Sequence, residues 1–188
     1  MADEIFLIQQ ALLRIGEVPP STGISPRVKV GRELLFRAHK DLLLKHDWMF
    51  TLFRNFTLTK VDIDIDPPYN NFVAYQLPED FRSILSIHPI RDFIVDIRNR
   101  CLWSTDKSGE ISYYRFPKIE EILPSGYESS LISYLAILLD RGIHQSGEKR
   151  QEMTAFFQED LSQAIKEDNY LVPQKDLEAF SPYGLGSN

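Results

Sequence analysis

A single cysteine, Cys101, is all that the 188 residues contain. No disulfide can form within the chain, and one unpaired thiol suits a reducing compartment. The plainer reading of Cys101 is a small apolar strand residue, because free cysteine is among the most buried residue types. Basic charge is also in short supply. The chain has 21 Lys and Arg against 27 Asp and Glu, a formal net charge of −6, so it lacks the basic footprint of a general nucleic-acid binder. No run approaches the roughly 18 apolar residues of a membrane span; the longest, Leu135–Leu139, stops at Asp140-Arg141. Met1-Ala2-Asp3-Glu4 is acidic where a secretory signal is basic. His39, His46, His88 and His144 are not spaced as a helical zinc site, and each reads as a surface or capping residue. Walker loop, dinucleotide fingerprint and nucleophile elbow are all missing. The expectation is a protein made and used inside a cell, without cofactor, metal or membrane contact.

What is present is an ordinary globular composition, 43% hydrophobic and 26% charged, enough for one domain or a domain with a sizeable insertion. An aromatic share of 12% favours a well-packed core with anchors left over for interfaces. Residues 1–48 read as a helical pair. Ile5, Ile8, Leu12 and Ile15 share one face of a first helix, Asp3 can cap it, and Gly16 ends it. Val18-Pro19-Pro20 forms a stiff connector. Ser25 then caps a second helix with Pro26 at its first position. Val28, Leu35 and Leu42 recur every seven residues, with Gly31 and Ala38 between them, a seam suited to close helix packing.

From 49 to 117 the period falls to two, predicting a small antiparallel β insertion. Its strands lie near 51–58, 72–77, 83–87, 93–97, 100–103 and 111–116, the last three as a meander. Residues 118–170 read as a second helical pair completing a four-helix bundle, so the fold class is α+β. The first of these helices, from Ser125 to about Gly142, is apolar on nearly every side. Its Leu131, Leu135 and Leu138 are the candidate face for a neighbouring subunit. Residues 171–188 form an extended tail. Ordering each residue costs about 1–2 kcal/mol of backbone entropy, whereas a buried aromatic anchor returns only about 1.5–3 kcal/mol. Phe180, Pro182 and Tyr183 therefore need a surface outside the isolated chain to dock on.

Two clusters of acid groups are candidates for chemistry. Asp62-Ile63-Asp64-Ile65-Asp66 opens like a calcium loop, but Pro67 and Val73 occupy the positions that need glycine and glutamate. It reads as an exposed acidic loop tip, or as Asp62, Asp64 and Asp66 repelling DNA phosphates. Glu120-Glu121 are neighbours that do not face each other on a helix, and nothing aims them at a substrate.

Several short motifs occur in a particular order. Ala11-Leu12-Leu13-Arg14-Ile15-Gly16-Glu17 is followed by prolines and a second helix, then by Asp47-Trp48-Met49-Phe50, Leu77-Pro78-Glu79-Asp80-Phe81, and a late helix pair beginning near Tyr134-Leu135-Ala136. Together they resemble the head-to-tail adaptors of short-tailed bacteriophages, the tail tubular protein A-like portal–tail connectors, over about 11–169. One departure is Thr51 after Phe50, where that family carries alanine. The resemblance implies a non-enzymatic virion protein, assembled in the host cytoplasm into a dodecameric ring between the portal protein and the tail nozzle protein. DNA would pass through the lumen without specific binding, and the tail would dock on the portal. A small intracellular scaffolding or binding protein, and a cell-wall or nucleic-acid hydrolase, are the competing readings.

Overall fold

The computed structural model describes residues 3–19, 25–63, 65, 67–69, 71–90, 92–106, 108–143 and 147–170, leaving aside the side chains of 142–149. Two compact units result: a helical one, Met1–Phe50 with Lys118–Asn188, and a β one, Thr51–Pro117.

In the helical unit, α1 (Glu4–Arg14) starts at Asp3, whose carboxylate accepts from Ile5 N at 2.9 Å. It stops at Gly16, held at φ 80°, a conformation glycine adopts without steric cost. Beyond Ile8, Leu12 and Ile15, its buried stripe takes in Leu7 and Ala11, while Ile5 is only partly covered. Ser25 caps α2 (Pro26–Leu43), and the seven-residue seam of Val28, Leu35 and Leu42 is fully buried. A Cβ on Gly31 would stand 2.7 Å from Ile8 Cγ2, so the missing side chain is what allows α1 and α2 to approach. The next helix, α3 (Ser125–Ile143), packs against α1, α2 and the last helix, α4 (Gly147–Tyr170).

That arrangement corrects the expected four-helix adaptor bundle. α3 is a hub: α1 and α2 pack on it and on each other, whereas α4 lies principally against α3. The physical reason is the apolar circumference of α3. Leu131, Ile132, Leu135, Ala136, Leu138 and Leu139 are all buried, and a helix apolar on every side needs cover on every side.

The β part is larger than the small insertion expected. Among the described residues it holds seven strands, β1 (Leu52–Thr57), β2 (Thr59–Val61), β3 (Val73–Gln76), β4 (Phe81–His88), β5 (Phe93–Asp96), β6 (Cys101–Ser104) and β7 (Glu110–Arg115). They form two antiparallel sheets ordered β1-β7-β4 and β2-β3-β6-β5. The expected meander breaks after the β5–β6 hairpin, because β7 inserts between β1 and β4 in the other sheet. β3 and β4 likewise belong to different sheets, and the chain changes over at Leu77-Pro78-Glu79-Asp80. There Leu77 N bonds Arg100 O at 3.0 Å and Phe116 N bonds Asp80 O at 2.7 Å. Splitting the strands gives each sheet an apolar face to cover the other: Tyr75, Leu77 and Leu102 share one cluster with Ile111 and Tyr113. Burial and the nearby Asp80 carboxylate push the Tyr113 phenol up to about 12.

Removing side-chain volume from the hub should weaken the isolated chain. Leu135→Ala is expected to lower unfolding free energy by about 2–5 kcal/mol, read from urea midpoints under dilute conditions. An unchanged midpoint together with a defect in assembly would place Leu135 at a subunit interface instead.

Candidate functional site

The last turn of α1 delivers Arg14 to α3 and α4, a position where positive charge also suits the helix dipole. Its Nη1 lies 2.9 Å from Asp160 Oδ2 and also bonds Ser133 Oγ, while Nη2 donates to Ser129 Oγ at 3.3 Å. Ser133 Oγ donates in turn to Asp160 Oδ2. Ser129 and Ser133 are four residues apart, so one face of α3 presents both hydroxyls. Arg14 and Asp160 keep 38% and 29% side-chain exposure, so this pair orients groups more than it stabilises the fold.

Beside the node opens a cavity of about 480 Å³. Arg14, Ser133, Glu152 and Asp160 form its polar rim, and Ala136, Met153 and Phe156 its apolar wall. Phe156 is 54% exposed. Charged groups at the edge of an apolar concavity are the ingredients of a docking pocket.

A second polar node sits where the chain leaves α2. Trp48 is buried, donates from Nε1 to Leu42 O at 3.0 Å, and meets Tyr127 edge-on at 4.9 Å. Phe50 also meets Tyr127 at 4.9 Å, and the Tyr127 hydroxyl lies 2.9 Å from His39 Nδ1. Asp168 of α4 is 4% exposed and holds this turn in place. Its Oδ2 accepts from Met49 N at 2.8 Å and stands 3.3 Å from His46 Nε2. Burial raises the Asp168 pKa, opposed by the Met49 N–H and by His46; burial likewise raises that of Tyr127. A cavity of about 190 Å³ adjoins, lined by Trp48, Pro124, Tyr127, Ala164, Glu167 and Asp168.

The residues singled out from sequence fall elsewhere. Leu131 and Leu135 are fully buried within the chain and Leu138 is 8% exposed, which leaves the first two no surface to offer a second copy. Asp62 is exposed just past β2, whereas Asp64 and Asp66 lie outside the described residues, as do Phe180, Pro182 and Tyr183. Among the described residues no group of three or more His, Cys, Asp or Glu could hold a metal ion, and no helix is long and apolar enough to cross a membrane. His39, expected at the surface or a helix cap, is instead buried, and Asp168 was not singled out, yet both carry a signal. His39 sits among the buried Leu35, Ala38 and Leu42, and Asp168 continues the stripe of Phe157 and Ala164. A polar residue at an apolar-periodic position marks a buried, partnered group.

Compared with models of known protein families the chain matches none, and no curated protein matches it.

The raised pKa of Asp168 has a defined consequence for stability. A folded-state value above the ordinary 3.8 means that folding favours the neutral carboxyl. That contribution is complete below about pH 4 and is lost as pH rises through the folded-state value. Asp168→Asn keeps an acceptor for Met49 N–H and cannot ionise. The melting temperature of the native chain relative to this variant should therefore fall as pH is raised from about 3 to about 7, measured by circular dichroism. A constant difference would show that folding leaves the Asp168 pKa at its unfolded-state value.

Proposed function

We propose that the chain is a structural subunit of a phage head-to-tail adaptor, forming a dodecameric ring between portal and tail nozzle. The order of the motifs carries the reading. Three of the four also sit at junctions where the backbone demands particular residues, whereas Tyr134-Leu135-Ala136 lies within α3. Gly16 takes the left-handed conformation that ends α1. Trp48 and Phe50 pack on Tyr127 where the chain leaves α2, and Leu77-Pro78-Glu79-Asp80 is the point at which it changes sheets.

Lateral contact between copies falls to apolar side chains on the outside of the helical unit. Phe6 and Leu13 on α1, Val30 and Phe36 on α2, and Leu44 just after it are between 46% and 60% exposed. Apolar side chains left in water on several helix faces favour association. In a ring, contacts that are individually modest combine through multivalency. The net charge of −6 per copy and the exposed Asp62 suit a channel through which DNA slides, because nonspecific affinity comes from neutralising phosphates with Lys and Arg.

The decisive experiment is native mass measurement of the chain alone and with purified portal protein. A ring-sized complex with portal is expected; a chain that stays monomeric in its presence removes the adaptor reading. Phe36→Glu, at a half-exposed site, should leave stability within about 0.5 kcal/mol while reducing ring formation. Unimpaired assembly in that variant would exclude the outer face of α2 from the contact.

A further inference from the structure

We propose that the cavity between α1, α3 and α4 is the seat for the Phe180–Tyr183 segment of an adjacent copy, so that each subunit clasps its neighbour. This rests on the ring reading and names the contact that closes it. The cavity has the chemistry for that segment. An apolar wall of Ala136, Met153 and Phe156 faces a rim of Arg14, Ser133, Glu152 and Asp160, and its volume is about 480 Å³. Phe156, more than half exposed, lacks an apolar cover. Aromatic rings pack well on a phenylalanine face and a methionine sulfur. The rim carboxylates accept from a tyrosine hydroxyl, and Arg14 donates to peptide carbonyls. In residues 171–188, Phe180, Pro182 and Tyr183 are the aromatic and proline anchors gathered within four residues.

The chain that follows α4 is long enough. Tyr170, its last residue, is 88% exposed, and Phe180 comes ten residues later. At about 3.3 Å per extended residue that is a reach of about 33 Å. All of α4, at about 1.5 Å per residue, is about 36 Å long. An arm that nearly spans its own longest helix can cross to the next subunit. Exchange between copies is favoured over folding back. Two anchors return much less than the entropy of ordering the arm in an isolated chain, whereas a closed ring holds many arms beside many cavities at high effective concentration.

The test mixes two full-length variants, one carrying Glu152→Cys at the exposed rim and the other Tyr183→Cys, assembled with portal protein and mildly oxidised. Cys101, buried in the β unit, does not compete. The expected result is a disulfide between the two chains, reduced at least tenfold when Phe156→Ala is added to the first. It should not form when Gln158→Cys, on the exposed side of α4, replaces Glu152→Cys. A ring that forms without the inter-chain disulfide overturns the inference and leaves the adaptor reading standing. So does a ring in which Tyr183→Cys cross-links to portal, or one in which the double variant Glu152→Cys/Tyr183→Cys closes only within one chain. Failure to form a ring at all overturns both.

Discussion

The helical unit depends on covering α3. A helix that is apolar around its whole circumference cannot stay at the surface, so α1, α2 and α4 are recruited to its sides. Close approach is achieved by small residues. Gly31 admits Ile8 between α1 and α2, and Gly126 leaves room for α4, where an added Cβ would stand 3.1 Å from Ala164 Cα. The hydroxyls of α3 are then satisfied locally or across the packing: Ser130 bonds Gly126 O at 2.9 Å, and Ser133 joins Arg14 and Asp160. Apolar burial sets how tightly the helices pack, and the polar contacts then select their register.

The same logic explains why Asp168 is held inside. Its carboxylate caps the turn at Met49, stands next to His46, and anchors the end of α4 beside the aromatic cluster of Trp48, Phe50 and Tyr127. The exit from α2 and the end of α4 are thereby tied together. Asp160, of the node at Arg14, stands eight residues before Asp168 on α4. Both nodes hold one element against another.

How far each feature could be read from residues depends on how local its physics is. The Asp3 and Ser25 caps, the Gly16 stop and the Val28–Leu35–Leu42 seam are legible because each rests on contacts within a few turns of chain. The strand positions were mostly legible from their period of two, but β2 was too short for a period to show. The pairing was not legible. Whether β7 lies beside β6 or between β1 and β4 is decided by which apolar faces must cover each other, a relation among residues far apart in sequence. Leu131 and Leu135 show the limit most clearly: an all-round apolar pattern demands cover and does not say who supplies it. The cavity rim draws Arg14, Ser133 and Asp160 from three helices, and no spacing in the chain announces that meeting.

By itself, then, the order of amino acids determined where helices begin and end, which of their faces are apolar, and that an acidic chain with one thiol needs no disulfide, because these follow from nearest-neighbour sterics, hydrogen-bond capping and composition. Only the tertiary structure decided that α3 is covered by its own chain, that the strands part into two sheets, and that Asp168 and Arg14 sit at meeting points. Those outcomes depend on long-range competition for apolar cover, and the winner emerges only when all the surfaces are present together.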